Sequence, residues 1–313
     1  MHVLVTGGAG FIGSALVRRL ASHRNISVTV LDNLHRGRLE DLGDCLEDIW
    51  FLEADIRDSR ALREAMSGVD IVYHLAAQAS VMSAASDASY TLSTNVAGTS
   101  NVLQAAKFNK VKRVVFASSR EVYGDPARLP VHETAPIKPK NSYGASKATG
   151  ETYCDIFGVG LETVVLRLAN VYGPGDRDRV IPIFIESALD GRPLQLYGGE
   201  QILDFVWIGT VVEALMTAGF GDLIEGPLNI GSGKGTTISE LAQRILDVTG
   251  SGSQVNISPC RQVEVSRFVA DVSRAKRLIG LRPPEDPLFG LQEVVERTQG
   301  SIPAGKPAVV SQH

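Results

Sequence analysis

The chain has 313 residues, 44% of them hydrophobic and 21% charged, enough to bury a sizeable core and to build two lobes. Its net charge of −4 comes without a long basic run or an arginine-rich arm. That argues against nucleic acid or an anionic membrane as partner and leaves room for a small acidic ligand held by local arginines.

The first residues, Met1 to Thr6, enter an apolar run directly, with no charged leader and long apolar stretch, so a soluble cytoplasmic protein is expected. Strand-like runs follow at Val3 to Thr6, Val28 to Leu31, Trp50 to Glu53, Ile71 to His74, Val114 to Ala117 and Thr163 to Leu168. Between them, apolar periodicity predicts helices over Ile12 to Ala21, Ser59 to Ala65, Thr91 to Phe108 and Ser142 to Phe157. Such alternation reads as βαβ units with right-handed crossovers, hence an α/β fold with a doubly wound parallel sheet. After Tyr172 the texture changes to a charged loop, Asp176 to Arg179, a helix over Ile181 to Leu189 and a strand over Leu194 to Tyr197. Further strands are expected at Asp204 to Val206 and Pro227 to Ile230, and a helix over Ile238 to Val248 capped by Thr236 or Thr237. Residues 1–172 are expected to form the larger unit, with 205–232 returning to it. Residues 173–204 and 233–299 would build a smaller, sequence-interleaved α/β substrate lobe, and 300–313 a flexible tail. Cys45, Cys154 and Cys260 lie far apart without a CxxC pair, so neither a disulfide framework nor a metal site is expected.

Thr6-Gly7-Gly8-Ala9-Gly10-Phe11-Ile12-Gly13 joins the first strand to the first helix. Glycines fall where the turn is tight, where the backbone must approach a pyrophosphate and where helix meets strand, with the helix N-terminus facing the anion. Asp32 ends the second strand about 20 residues after Gly13, the interval expected of a carboxylate that holds an adenosine ribose. Together they make a Rossmann-type dinucleotide site. An acid at Asp32 repels a 2′-phosphate, so NAD is expected over NADP, with Arg36 and Arg38 as the contrary signal. Asp55 is a candidate contact to the adenine amine or a turn aspartate.

Tyr143 and Lys147 stand at i and i+4 of a predicted helix, on one face. An ammonium beside a phenol favours phenolate, so the tyrosine is expected to titrate below its ordinary value of about 10 and to act as acid and base.

At these residues the chain resembles the extended short-chain dehydrogenase/reductases, specifically the nucleotide-sugar epimerases and dehydratases. The resemblance rests on the glycine turn, Asp32-Asn33-Leu34, Ala54-Asp55-Ile56, His74-Leu-Ala-Ala77, Asn95-Val-Ala-Gly-Thr99, Ser118-Ser-Arg-Glu-Val-Tyr-Gly124, Tyr143 to Lys147 and Arg167 to Pro174. It implies that Gly7, Gly10, Phe11, Ile12, Asp32, Asn33, Asp55, Ile56, Leu75, Ala76, Ala77, Asn95, Tyr143 and Lys147 touch NAD. It implies Ser119 as the active-site hydroxyl, Tyr143 as base and Lys147 as its modulator. Asn170 would meet the nucleotide diphosphate, while Arg179, Val180, Tyr197, Gln201 and Arg261 match regions that hold the nucleotide. A homodimer through the helices near 91–108 and 142–157 is implied as well.

The expected reaction is 4-epimerisation of a UDP-sugar through a transient 4-ketone, with Ser119 holding the oxygen near the phenol. Dehydratases of this family carry Thr-Asp-Glu where this chain has Ser119-Arg120-Glu121, and arginine cannot replace the acid. Decarboxylases of UDP-glucuronate share Glu121 but not Arg120. Arg120 and Arg177 could fork a C6 carboxylate, so the sugar is a neutral hexose or a uronate. Alternatively, Arg120 points to solvent or pairs with Glu121 or Asp125. Leu203, where relatives commonly carry arginine, removes one polar contact. Rival readings are a net NAD-dependent oxidoreductase and a non-catalytic NAD-binding protein.

Overall fold

The computed structural model describes residues 1–301. In chain order the strands are β1 (His2–Thr6), β2 (Ser27–Asp32), β3 (Trp50–Glu53), β4 (Ile71–His74), β5 (Arg113–Ser119), β6 (Glu162–Leu168), β7 (Asn170–Tyr172), β8 (Leu194–Tyr197), β9 (Ile202–Leu203), β10 (Phe205–Trp207), β11 (Leu228–Ile230), β12 (Thr236–Thr237) and β13 (Val255–Ser258). The helices are α1 (Phe11–Ala21), α2 (Ser59–Ala65), α3 (Val81–Ser86), α4 (Ala88–Thr91), α5 (Thr99–Phe108), α6 (Ser142–Phe157), α7 (Val180–Leu189), α8 (Ile208–Phe220), α9 (Ile238–Thr249), α10 (Ser273–Ile279) and α11 (Leu291–Ser301).

Seven strands form the central sheet in the order β11-β6-β5-β4-β1-β2-β3, and every pairing is parallel. The order reverses between β1 and β4, which opens a crevice at the carboxyl ends of those strands. Side chains alternate through the sheet. Val3 and Val5 enter the core shared with α1 and α8, whereas Leu4 enters the core shared with α2, α5 and α6. Both faces are covered, so the strands read as near-continuous apolar runs. A third core joins β8, α7, α9 and α11 through Ile185, Leu196, Leu241 and Val294.

Several expected elements change on folding. The helix expected over Thr91 to Phe108 begins as a π-helical stretch, Leu92–Gly98, and becomes α-helical only at Thr99. Its wider turn buries Thr94 and Asn95. Gly98 there lies so close to Ile56 that an added Cβ would meet that side chain at 2.6 Å. Helix α8 is absent from the expectation, although Ile208, Val211, Leu215 and Ala218 form a buried stripe at helical spacing. Arg113, 4% exposed, anchors its C-terminal end by donating from Nη1 to the carbonyls of Ala218, Gly219 and Gly221. Helix α9 starts as expected at Thr237, through a capping box with Glu240. The expected tail is corrected at its first residues, because Gly300 and Ser301 lie in α11; residues 302–313 fall outside the described residues.

Asp204, between β9 and β10, is fully buried and had no place in the expected site. Its carboxylate accepts from Ser232 N and Oγ, Gly233 N and Ala270 N, so three stretches of chain meet on one side chain. Asp204→Ala would leave these donors unsatisfied in the interior. It is expected to cost about 3 kcal/mol or more in urea unfolding, with Asp204→Asn losing less.

Candidate active site

The turn after β1 is shaped by glycine. Gly7 has φ +72°, and a Cβ on it would meet the backbone N of Ala76 at 2.6 Å, where the chain leaves β4. A Cβ on Gly13 would meet the Gly7 carbonyl oxygen at 2.1 Å. Gly10 caps α1 without a side-chain bond, leaving the N-terminal amides of the helix as an anion site beside Phe11, Ile12 and Gly13. At the end of β2, Asp32 accepts from Ala9 N at 3.0 Å and from Leu34 N at 2.9 Å. Burial raises its carboxyl above the usual range while these two bonds oppose the rise. Asn33 donates to Asp55 at 2.8 Å, and Arg57 forks the same carboxylate at 2.9 and 2.7 Å. The hydrogen bonds from Arg57 hold Asp55 down at about 2. Thus both oxygens expected to meet an adenine amine already carry partners.

One cavity of about 740 Å³ brings together every expected site residue except Asn95. Asn95 is 2% exposed and acts within the fold: Oδ1 accepts from Gln78 N, and Nδ2 donates to the Gln78 carbonyl and to Ser146 Oγ. Its neighbour Thr94 lines the cavity in its place.

Tyr143 lies in the first turn of α6, whose N-cap Asn141 accepts from Gly144 N at 2.8 Å. Lys147 stands one turn further on, with Nζ 6.0 Å from the Tyr143 ring centroid and donating to the Ala117 carbonyl at 2.8 Å. Burial lowers this ammonium to about 8. The expected drop of the Tyr143 phenol is not found. Burial pushes it above its ordinary value, against its hydrogen bond with Ser119 and the charges of Arg179 and Arg120. Desolvation of the phenolate outweighs the cations around it.

Arg120 does not point to solvent. It is 8% exposed, pairs from Nη2 with Glu121 Oε1 at 3.0 Å and donates from Nε to Asn170 Oδ1 at 2.9 Å. Glu121 Oε2 accepts from Asn141 Nδ2 at 2.7 Å. Arg120 Nη1 and Asn170 Nδ2 are buried without a hydrogen-bond partner.

Arg177 forks Asp41 at 2.9 and 2.6 Å, and Arg36 pairs with Asp178 at 2.8 Å, so two ion pairs join the loop before α7 to the segment after β2. Arg177 lines the cavity with its guanidinium turned to Asp41. Arg179 pairs with Asp176 and lies over the Phe11 ring at 5.3 Å, just before Val180 opens α7. Arg261 covers the Tyr197 ring at 3.7 Å, while Gln201 accepts from Gly199 N and donates to the Tyr197 carbonyl. Leu203 lines the same wall.

Sequence reasoning missed Asp176, whose Oδ2 is buried without a partner and whose carboxyl burial pushes up to about 6. Within Asp176-Arg-Asp-Arg it looks like one more solvated charge. Among the described residues no cluster of His, Cys, Asp or Glu could hold a metal ion, and no helix is long and apolar enough to cross a membrane.

The model of the NAD dependent epimerase/dehydratase family matches residues 3–231. The chain is 38% identical to a putative UDP-glucose 4-epimerase of Methanocaldococcus jannaschii, over 94% of this chain and 97% of that protein. It is 34% identical to a UDP-N-acetyl-alpha-D-glucosaminuronate decarboxylase of Bacillus cytotoxicus, over 94% and 96% of the two chains. The structure is similar to that of Thermus thermophilus UDP-glucose 4-epimerase in complex with NAD, with a TM-score of 0.90, 35% identity, and 96% and 100% of the two chains covered.

Gly13→Ala is expected to force the glycine turn open. Titration of the apoprotein should show NAD affinity reduced by about tenfold or more, in line with loss of one or two charge-assisted bonds to the pyrophosphate.

Proposed function

We propose that this chain, which belongs to the NAD-dependent epimerase/dehydratase family, interconverts the C4 epimers of a UDP-hexose, UDP-glucose and UDP-galactose. The observation that carries the reading is the meeting of three groups at one point of the cavity. Ser119 lies close enough to the Tyr143 phenol to pull its titration down, and Lys147 lies one helical turn further on the same face.

The cavity fits the cofactor on which the family depends. The glycine turn leaves the space that any Cβ would fill, and Asp32 lines the cavity at the end of β2, where its carboxylate would hold the ribose hydroxyls. NAD, when bound, supplies the oxidation at C4 and its reversal, so that the sugar passes through a 4-ketone.

The protein's own part is proton transfer and orientation. Tyr143 takes the proton of the 4-hydroxyl and later returns it, while Ser119 hydrogen-bonds the same oxygen. Because burial disfavours the phenolate, the cations beside it are needed: Arg179 and Arg120 pull it down, and Lys147 adds a third positive charge nearby. Asn170, Arg179, Gln201 and Arg261 are assigned to the nucleotide. The ketone then presents its other face within the cavity before the proton returns.

A uronate is the second reading, favoured by the unpartnered Nη1 of Arg120 in the cavity wall. Product analysis by NMR with UDP-glucose, UDP-galactose and UDP-glucuronate separates the two, and release of carbon dioxide would replace epimerisation by decarboxylation.

Tyr143→Phe is expected to keep NAD binding and to lower turnover by about a thousandfold; activity surviving near the wild-type level would remove Tyr143 from the mechanism. In the wild type, the Lys147 ammonium is present below about pH 8 and lost above it, so the rise in rate expected as the Tyr143 phenol ionises should flatten once pH passes that value, read from the pH–rate profile. A homodimer belongs to the same reading. Leu92, Phe108 and Ile156, on or beside α5 and α6, are 63, 72 and 61% exposed, apolar surface that a second copy would cover. Sedimentation should give a dimer, with the double variant Leu92→Glu/Ile156→Glu shifted to monomer.

A further inference from the structure

We infer that two ion pairs, Arg177 with Asp41 and Arg36 with Asp178, close a strap over the glycine turn and gate the passage of the dinucleotide. The inference concerns the cofactor and holds whichever sugar the cavity takes. All four residues line the cavity together with Gly10, Phe11 and Ile12 of the turn. None of them has a part in the proton transfer assigned to Tyr143 and Ser119.

The strap is anchored on the turn at both ends. On one side the segment after β2 lies along Ala9: Arg38 N donates to the Ala9 carbonyl at 3.1 Å, and a Cβ on Gly37 would meet the Ala9 backbone carbon at 2.9 Å. On the other side Arg179 lies over the Phe11 ring at 5.3 Å and pairs with Asp176 at 3.3 Å. Between these anchors the ion pairs join one segment to the other. Arg177 forks Asp41 through both Nη atoms at 2.9 and 2.6 Å, and Arg36 Nη2 meets Asp178 at 2.8 Å. The contacts form a closed ring, from Ala9 to Phe11 through the backbone and back through Arg179, the two ion pairs and Gly37. A pyrophosphate seated on the first amides of α1, with its ribose at Asp32, lies within that ring.

The pairs suit a gate because they hold without being permanent. The Asp41 side chain is 17% exposed and that of Arg177 39%, so the fork is partly sheltered, whereas Asp178 is 70% exposed. A bidentate, part-sheltered fork is the stronger kind of surface pair, and water reaches both pairs well enough for them to open. Simple electrostatics predicts the opposite sign. Carboxylates standing near a pyrophosphate repel it and compete for its arginines, so removing one would slow release of the cofactor. Removing one from a strap speeds release.

The test loads the full chain with radiolabelled NAD, chases it with unlabelled NAD and follows the retained label by timed filtration; uptake by the apoprotein is timed in the same way. Asp41→Asn and Arg177→Gln should each speed release by about fivefold, the effect of one pair at the strong end of the range for exposed pairs. Both should quicken uptake as well, because a strap bars passage in either direction. The double variant Asp41→Asn/Arg177→Gln should release no faster than either single one, since the two side chains make one contact. Asp178→Asn should act with the same sign and a smaller effect. Release unchanged or slowed by Asp41→Asn would overturn the strap, as would a double variant in which the two effects add. Faster release with unchanged or slower uptake would also overturn it and make these residues direct contacts of the cofactor.

Discussion

One buried ammonium ties α6 to β5. Lys147 is 4% exposed, yet its charged end is satisfied by the Ala117 carbonyl and lies 4.8 Å from the Phe116 ring centroid. One turn further along α6, Glu151 accepts from Ser118 and forks with Arg167 of β6, which in turn donates to the Tyr123 hydroxyl. Tyr123 Oη donates to Asn229 Oδ1 of β11 at 2.7 Å. A chain of buried polar contacts thus runs from α6 across three strands of the sheet. Each member is paired, which is the condition under which buried polar groups hold a single arrangement instead of loosening it. Ser119 and Tyr143 meet because this scaffold fixes the strand end against the first turn of the helix.

The charges around the cavity divide by burial. Arg120–Glu121 and Arg167–Glu151 are shielded from water, where geometry decides everything and removal of one partner strands the other. Arg36–Asp178 is largely exposed, and such pairs contribute little, about 0–1 kcal/mol. His74, buried between Thr6 and Thr99 and held neutral near 3 by burial, shows the same economy: a titratable ring used only as a hydrogen-bond bridge beneath the glycine turn.

Much of this fold is legible in the chain because its signals are local. The β-branched runs, the glycines at 7, 10 and 13, the acid at 32 and the Tyr143/Lys147 spacing each follow from residues within one strand, turn or helix. Even helix α8 was there to be read, in its stripe of buried apolar residues. What sequence could not supply were the partners that come from far away. Arg120 meets Asn170 across 50 residues and Arg177 meets Asp41 across 136. The π-helical stretch that turns Asn95 away from the cavity also depends on tertiary packing, with Ile56 pressed against Gly98.

The sequence by itself therefore determined the sheet, the dinucleotide turn and the placing of Tyr143 and Lys147 on one helical face, because period, turn chemistry and i, i+4 spacing act over a few residues. Only the tertiary structure decided that the Tyr143 phenol sits above its ordinary value, that Arg177 is committed to Asp41 and that Arg120 is bound to Glu121. Desolvation and ion pairing are set by everything that surrounds a group, and those surroundings exist only once distant segments have packed together.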